Sequence, residues 1–490
     1  MISFNQIPLT LLTPGTFVEL DTSRMQSGLP QARTRSLIVG QKLGTGTAVA
    51  NTLYRVLSAQ HAKTLFGQGS MLADMFAGYF ANDATTEVWG MGLADNGTGT
   101  AATGTIAFTG PATAAGILEL MVCDTRVQVA VTSGMTATQI GTAAAAAING
   151  YADLPVTAGA ASGTVTLTAR HKGLESNGLY LALNYHQGDV TPAGVGVTIA
   201  GIGSVVAGAG NPDASQVFTA LGDQAFQTIV HPWNDATNMG IIEAALADRA
   251  TALKMNYSEA YTHNPGNFSA LTTAAASRNS PYAPFTGMKG VPSAPWKVAA
   301  AYAAQIAFSA RTDPGRPFNT LVLKGILPPL PSDQFTRQER ELLLEAGVAT
   351  LMVNANSEVC IERMVTTYKT SPQGFADTGL RDLNAILLLY YLSWSQQARI
   401  TTRYPRYKLG NDGGNYAPGQ PIVTPKQIRA ELVGLAKEWE SAGLIENIDQ
   451  YIADLRVERD ATDPNRLNSF QRPDLINGFQ VLAALIQPIA

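Results

Sequence analysis

The side chains that could carry out catalysis do not fall at catalytic spacings in this sequence. It contains no Gly-x-Ser-x-Gly elbow, no phosphate-binding Gly-x4-Gly-Lys-Ser/Thr loop, no His-Glu-x-x-His and no Cys-x-x-Cys. His231-Pro-Trp233 is the most site-like group, because it follows a predicted strand and open α/β sheets bind ligands at strand ends. The histidines as a set show no metal-ligand spacing: His61, His171, His186, His231 and His263. We therefore predict no catalytic residue, no metal site, no cofactor and no enzymatic activity.

One cluster of basic residues has the composition of a binding surface: Arg399, Arg403, Arg406 and Lys408. Cations at a helix C-terminus are favoured by the helix dipole, so the cluster is typical of a solvated helix end. The same residues would also form a docking surface for an acidic partner. Both interpretations stay open at this level.

Composition limits the classes of function. The chain has 490 residues, of which 46% are hydrophobic and 14% charged, which predicts two to four globular domains. A net charge of -4 argues against nucleic acid as the main partner. Two cysteines in different predicted domains do not make a disulfide framework, and no secretory signal precedes Leu9, so we expect synthesis in a cytoplasm. The uncharged run from Val190 to Pro212 is rich in glycine and predicts a strand and a loop rather than a membrane span.

Charge is distributed unevenly along the chain. Residues 331–490 carry 35 of the 70 Asp, Glu, Lys and Arg residues, whereas residues 95–213 carry 10. We predict an α/β multi-domain protein with these segments: an N-terminal extended arm (1–35), a core (36–94), an inserted mainly-β outer domain (95–214), the second part of the core (215–330), a C-terminal α/β domain (331–469) and a C-terminal strand arm (470–490).

Hydrophobic periodicity places elements in these segments. In the core we predict strands at 36–40, 87–89, 225–230 and 257–262, and helices at 71–80, 238–253 and 295–310. Strand 225–230, helix 238–253 and strand 257–262 form a βαβ unit, which implies parallel strands. In the insertion we predict strands at 117–123, 126–131 and 164–168 and a helix at 136–148.

The C-terminal third contains three predicted helices, two of them with strong start signals. Thr336 with Glu339 and Thr424 with Gln427 are capping boxes. The third predicted helix lies between these two in the sequence and carries an apolar face that includes Leu383 and Trp394. The strict alternation from Tyr451 to Glu458 predicts a half-solvated strand.

Both ends of the chain carry apolar residues in short, strand-like runs. We predict that these runs are extended, strand-like arms. The residues selected for this role are Phe4, Ile7, Phe17, Val18, Phe479, Val481, Leu485 and Ile486.

In their order, these landmarks resemble the contractile tail sheath proteins of bacteriophages, especially those of Mu-like phages. The matching segments span nearly the whole chain: 2–8, 66–72, 279–282, 324–328, 378–409, 422–425, 455–459 and 463–466. The resemblance implies a structural virion protein, made in the host cytoplasm, that polymerises around an inner tail tube. It further implies a helical homopolymer with six-fold rings that contracts to drive the tube through the host envelope. In such a polymer each subunit lends its terminal arms to the sheet of a neighbouring subunit.

The implied partners are other copies of this chain, the tail tube protein, and the baseplate and tail terminator proteins, without nucleic acid and without membrane insertion. In related sheaths the C-terminal domain faces the tube and inserted domains face outward. This implies a tube contact through Arg399, Arg403, Arg406 and Lys408 or through the helix from Thr424 to Ala442. A self-assembling surface protein, such as an S-layer subunit, is the alternative function.

Overall fold

The structure, a computed structural model, describes residues 34–417 and 419–488, together with residues 10, 12–16 and 18. These residues form two compact units that divide between Ile386 and Leu387. Charge density rises at residue 331, where the sequence analysis placed the start of the last domain. The segment 331–386 nevertheless belongs to the larger unit (34–386), because it supplies strands to that unit's main sheet.

The larger unit contains most of the regular structure. Its strands are β1 (Arg35–Gln41), β2 (Leu53–Val56), β3 (Glu87–Leu93), β4 (Ala101–Thr109), β5 (Gly116–Val122), β6 (Thr125–Val131), β7 (Val156–Ala161), β8 (Thr164–Lys172), β9 (Leu181–Leu183), β10 (Gly196–Ala200), β11 (Thr228–Val230), β12 (Glu259–Asn264), β13 (Phe285–Gly287), β14 (Ala349–Val353) and β15 (Val359–Arg363). Its α-helices are α1 (Ala59–Phe66), α2 (Met71–Asn82), α3 (Ala137–Asn149), α4 (Ser215–Leu221), α5 (Ala236–Arg249), α6 (Phe268–Ala276), α7 (Pro295–Thr312) and α8 (Arg337–Ala346). Short 3-10 helices lie at Leu174–Gly178 and Pro331–Asp333.

The smaller unit comprises residues 10, 12–16 and 18 together with the described residues from Leu387 onward. Helix α9 (Leu383–Arg403) begins just before it and continues into it. The remaining elements are β16 (Lys408–Leu409), β17 (Ile422–Val423), α10 (Pro425–Ser441), β18 (Ile445–Glu446), α11 (Ile448–Asp454), β19 (Arg456–Arg459), β20 (Leu467–Phe470) and β21 (Asp474–Leu475).

The main sheet of the larger unit has eight strands in the order β15-β14-β13-β12-β11-β1-β3-β2. The six central strands are parallel, and the two edge strands run antiparallel to their neighbours. Strand β11, helix α5 and strand β12 form the predicted βαβ unit, which is confirmed. The helix is shorter than predicted, because it ends at Arg249 and leaves Leu253 99% exposed. The fold class is therefore α/β.

Close packing between α2 and α7 holds one face of this sheet. Helix α7 buries a nearly continuous run of alanines, whose short side chains let another helix approach. Gly78 of α2 lies against it: a Cβ atom at this position would be 2.8 Å from the carbonyl oxygen of Lys297. Any larger residue at Gly78 would separate the two helices.

Residues 101–200 form two smaller antiparallel sheets and helix α3. One sheet has the order β10-β4-β8-β7 and the other the order β6-β5-β9. Strand β4 alternates between buried and partly exposed residues, as expected for a sheet with one solvated face. The predicted strands and helix of this segment are all present, and Val190–Pro212 contains strand β10 between loops, as predicted. None of the helices in the described part of the chain combines the length and apolar character that crossing a bilayer requires.

Buried polar contacts attach this segment to the main sheet and its helices. The ammonium group of Lys297 on α7 lies 2.5 Å from Asp124 Oδ2 and 3.5 Å from Asp74 Oδ1. His171 accepts the Met71 N–H at Nε2 and lies 2.8 Å from Asp95 through Nδ1. Because a buried charge must be paired to be tolerated, these contacts fix where the segment attaches.

Both cysteines are free thiols in buried positions. Cys123 follows β5, and Cys360 lies in β15. Burial raises the pKa of both thiols above the ordinary value. Each thiol therefore stays protonated and unreactive near neutral pH.

The smaller unit has its own hydrophobic core between α9 and α10. Its buried residues are Leu388, Leu392, Leu432, Leu435, Ala436, Trp439, Leu444, Ile445, Tyr451 and Leu455.

Both predicted capping boxes are confirmed, at Thr336 before α8 and at Thr424 before α10. The strand predicted from Tyr451 to Glu458 is partly wrong, because Ile448–Asp454 is helix α11 and only Arg456–Arg459 is a strand.

Candidate assembly site

The apolar residues near the C-terminus do not pack into the core of either unit. Residues 477–488, which we call the C-terminal tail, form no helix or strand. Phe479, Val481, Leu485 and Ile486 are 75–85% exposed. A strand through the tail would place Phe479, Val481 and Leu485 on one face and Leu482 and Ile486 on the other. Such a strand would be apolar on both faces, which suits insertion between other elements.

The chain is held firmly up to the point where the tail begins. Strand β21 pairs antiparallel with β18, and the Ile476 N–H donates to the Leu444 carbonyl at 3.2 Å. The Tyr451 hydroxyl donates to Gln471 Oε1 at 2.7 Å. Since the tail follows these anchors directly, it leaves the smaller unit at a fixed position.

Two of the antiparallel sheets in the smaller unit consist of only two described strands each. Strands β19 and β20 form one antiparallel pair and β18 and β21 another, and no third strand of the described chain joins either pair. Two-stranded sheets are marginally stable alone, and additional strands stabilise them. Val457 of β19 also contacts the core of the unit, which fixes the orientation of that pair.

The N-terminal residues selected from the sequence are mostly outside the part of the chain that the structure describes. Val18 is described and is 80% exposed. Phe4, Ile7 and Phe17 lie outside the described residues. The pairing of either arm with a neighbouring subunit therefore stays a prediction.

The structure separates the four basic residues that the sequence analysis grouped. Arg399 is buried, and its guanidinium pairs with Glu431, at 3.3 Å, and with Glu438. Arg403 also pairs with Glu431, at 2.8 Å, and the Tyr404 hydroxyl donates to the same carboxylate at 3.1 Å. Arg399 is therefore part of the internal packing of α9 against α10, so its assignment to a binding surface is corrected.

Arg406 and Lys408 remain available at the surface. Both side chains are exposed and follow the end of α9. Arg406 has a φ of 65°, an unusual backbone conformation for a residue with a side chain. Strand β16, which contains Lys408, pairs with β17 directly before α10. The two cations are thus held near the start of α10, the other candidate for tube contact.

The site-like histidine is part of the core. His231 is buried and stacks on Trp233 with a 5.9 Å separation between ring centroids. Burial, with a contribution from the charge of Arg278, lowers its pKa to about 3, and burial lowers that of His263 likewise to about 3. Both rings are neutral at physiological pH. Within the described ranges, no group of three or more His, Cys, Asp or Glu residues is arranged to hold a metal ion.

A buried carboxylate that the sequence analysis missed joins residues 174–178 to the end of β11. Glu175 Oε1 accepts the Asn234 N–H at 2.9 Å and the Asn211 amide at 3.2 Å, and Oε2 accepts the Asn234 amide at 3.2 Å. Burial nevertheless raises the pKa of Glu175 to about 7. No local sequence signal identifies this site, because the hydrogen-bond partners of Glu175 are 36 and 59 residues away along the chain.

Glu175→Gln should remove a pH-dependent loss of stability. The folded pKa of about 7 lies above the ordinary value of 4.5, so the folded chain binds an additional proton between these values. This group's stabilising contribution is complete below pH 4.5 and is lost as pH rises through 7. Relative to Glu175→Gln, the wild type should therefore lose about 2.5 kcal/mol of unfolding free energy between about pH 5 and about pH 8. Urea titrations at both pH values measure this difference. Glu341→Gln, at an exposed position, should show no such trend, and parallel curves for Glu175→Gln and wild type would contradict the assignment.

Comparison with known proteins gives the family. Residues 207–367 match the model of the phage tail sheath protein central domain, and residues 376–488 match that of the phage tail sheath C-terminal domain. The Mu-like prophage FluMu tail sheath protein of Haemophilus influenzae is 39% identical over 486 residues, which covers 99% of each chain.

Two solved structures are also similar. A chain in the cryo-EM structure of the anti-feeding prophage baseplate in its contracted state has a TM-score of 0.50 at 11% identity, covering 98% of this chain and 99% of that one. The sheath tail protein of Desulfitobacterium hafniense has a TM-score of 0.47 at 11% identity, covering 94% of this chain and 100% of that one. At 39% identity along its whole length to a tail sheath protein, the chain belongs to the family of Mu-like phage tail sheath proteins.

Proposed function

We propose that this protein is the structural, non-enzymatic protomer of a contractile tail sheath. It polymerises into a helical cylinder around an inner tail tube and shortens to drive that tube through the host envelope. The observation that carries the proposal is the 39% identity to a tail sheath protein over 99% of both chains. The site of action is then the virion tail, and the partners are the tail tube, baseplate and tail terminator proteins.

Electron microscopy of the purified full-length protein tests this function. Hollow cylinders with six-fold rings are expected, either spontaneously or when purified tube protein is added. Compact particles that never polymerise in the presence of the tube would contradict the proposal. Flat two-dimensional lattices would instead indicate a surface-layer protein.

Strand addition between subunits is the proposed linkage. The C-terminal tail supplies an apolar strand, the N-terminal arm supplies a second, and the two-stranded sheets β19–β20 and β18–β21 of a neighbour have edges that can accept them. Each added backbone hydrogen bond contributes about 0.5–1.5 kcal/mol, so several bonds per arm can keep subunits linked while their bodies move. Contraction in this proposal is a rigid-body rearrangement of a metastable polymer.

The proposed domain arrangement keeps the sequence boundaries of the insertion and moves the start of the C-terminal domain from 331 to Leu387, where the smaller unit begins. Residues 95–214 form an outer domain inserted into the α/β core, and the C-terminal domain faces the tube. The two separate antiparallel sheets between residues 101 and 200 support an independently folded insertion. The contacts of Lys297 and His171 with their partners support an insertion that moves together with the core as a single rigid body.

Charge reversal at Arg406 and Lys408 tests the proposed tube contact. Because both cations are exposed, Arg406→Glu with Lys408→Glu should leave the fold stable within about 0.5 kcal/mol. Assembly on the tube should weaken by about tenfold or more at low salt and by less at high salt, since exposed charges are screened. Cosedimentation with tube protein at two salt concentrations measures this. Lys324→Glu with Arg337→Glu, an exposed lysine and arginine on the larger unit, is the matched control, and equal losses in both variants would argue against a specific tube contact.

A further inference from the structure

The sequence contains four Asn-Gly pairs, at Asn96, Asn149, Asn177 and Asn477. Asparagine followed by glycine is chemically vulnerable, because glycine has no Cβ atom to keep its backbone nitrogen away from the asparagine side chain. Attack by that nitrogen on the side-chain carbonyl requires both groups to leave their folded positions. The surrounding structure therefore decides which of the four pairs can react.

Hydrogen bonds hold the first pair in an unreactive arrangement. Asn96 Oδ1 accepts the Thr98 N–H at 3.1 Å and the Thr98 hydroxyl at 3.0 Å, and its amide donates to the Asn211 carbonyl at 3.3 Å. The side-chain carbonyl of Asn96 is thus held on a turn. Reaction would require these bonds to break first.

The second pair is held at the end of α3. The Asn149 amide donates to the Ala158 carbonyl at 2.7 Å, and its Oδ1 accepts the Ala158 N–H at 2.9 Å. The attacking nitrogen of Gly150 donates to Ala146 at 3.0 Å within the last helical turn. Both reacting groups are therefore engaged elsewhere.

The third pair is held by a reciprocal contact with Gly208. The Asn177 amide donates to the Gly208 carbonyl at 3.1 Å, and its Oδ1 accepts the Gly208 N–H at 2.7 Å. The side-chain carbonyl of Asn177 is therefore engaged as well.

The fourth pair has none of these restraints. Asn477 and Gly478 are exposed and lie in neither a helix nor a strand. Neither the Asn477 side chain nor the Gly478 N–H makes a hydrogen bond to a described residue. The pair begins the C-terminal tail, directly after the last anchored residue, Ile476.

We propose that Asn477 is a site of spontaneous deamidation in the unassembled protein. The deprotonated Gly478 nitrogen attacks Asn477 Cγ, the C–N bond to the side-chain nitrogen breaks, and ammonia leaves, giving a five-membered succinimide. Water then adds to one of the two ring carbonyls and opens the ring. The product is aspartate or isoaspartate, and the overall change is asparagine plus water to acid plus ammonia, without any redox step.

Either product alters the root of the C-terminal tail. Both add a negative charge beside an apolar segment, and isoaspartate also adds a methylene to the backbone between Ile476 and Phe479. Since strand pairing alternates with a period of two residues, a longer backbone moves the tail out of register. This consequence for assembly rests on the proposed function, whereas the chemistry at Asn477 does not.

Peptide mapping of the aged full-length protein tests the chemistry. After incubation in mildly alkaline buffer, mass spectrometry and isoaspartate-specific methylation should locate the product at Asn477. Conversion there should be at least about tenfold faster than at Asn96, Asn149 or Asn177, because each of those sites must first break hydrogen bonds. In urea the four sites should react at similar rates. Comparable rates in the folded protein, or an unreacted Asn477 that converts in urea, would overturn the proposal.

An assembly assay separates the two claims. Aged wild type should polymerise less than fresh protein, whereas aged Asn477→Gln, which has a slower-reacting amide, should not change. Peptide mapping could find deamidation at Asn477 while both aged proteins polymerise like fresh protein. That result would support the deamidation site and contradict a role of the C-terminal tail in assembly.

Discussion

Truncation of the chain after Ile476 is expected to give a folded protein that no longer forms helical polymers. The deletion removes five apolar side chains that contact neither core: Phe479, Val481, Leu482, Leu485 and Ile486. Burying each against a neighbour stabilises the contact by about 1.5–3 kcal/mol, or roughly 7–15 kcal/mol per tail. That gross gain is similar to the about 4–15 kcal/mol cost of association, so its loss should abolish polymerisation. Negative-stain microscopy and sedimentation measure the outcome.

The position of the cut matters for this experiment. A deletion from Arg472 would also remove β21 and the bond from Asn447 to Asp474, and so would destabilise the smaller unit itself. Truncation after Ile476 keeps these contacts, and the melting temperature should be unchanged. A milder variant, Phe479→Ser with Val481→Ser, should reduce polymerisation without removing backbone. Normal cylinders from the truncated protein would refute strand lending by the C-terminal tail.

Replacing Arg399 by methionine should destabilise the smaller unit by about 3 kcal/mol. The change removes the buried cation that pairs with Glu431 and Glu438, leaving Glu431 with only the partly exposed Arg403 as its ionic partner. The expected cost lies at the lower end for a broken buried pair, because Glu438 is 31% exposed and can be solvated. Protection of α9 and α10 amides from hydrogen exchange should fall by about two orders of magnitude.

Two control variants show whether the effect comes from the buried charge. Arg406→Met, on the exposed turn after α9, should change stability by less than about 0.5 kcal/mol. Adding Glu431→Gln and Glu438→Gln to Arg399→Met should recover part of the loss. Neither carboxylate is then short of a cation, although the pair between Arg403 and Glu431 is lost as well. An Arg399→Met protein as stable as wild type would mean that the ion pairs contribute nothing net.

The elements that the sequence predicted well are those that depend on local patterns of residues. The capping boxes at Thr336 and Thr424 depend on residues three positions apart, so nothing distant is needed to identify them. The βαβ unit around α5 was equally accessible, because a buried strand and an amphipathic helix each show their own period.

The errors came from short segments and distant partners. Tyr451–Asp454 alternates like a strand, but four residues cannot distinguish a period of two from one of 3.6, and the segment packs as the end of α11. Arg399 looked like part of an exposed cluster because its carboxylate partners are 32 and 39 residues away. The C-terminal tail has the composition of a strand but no strand partner in the described chain, and a sequence alone does not show who supplies that partner.

The two buried thiols have a practical consequence for measuring contraction. Cys123 and Cys360 are buried, and burial raises the pKa of both, so maleimide reagents should leave both unmodified in the folded protein. A single cysteine introduced in place of Leu253, which is 99% exposed, would then be the only thiol on each subunit that reacts with maleimide. Fluorophores attached there would report the spacing between subunits during a stroke without removing any native residue from the core.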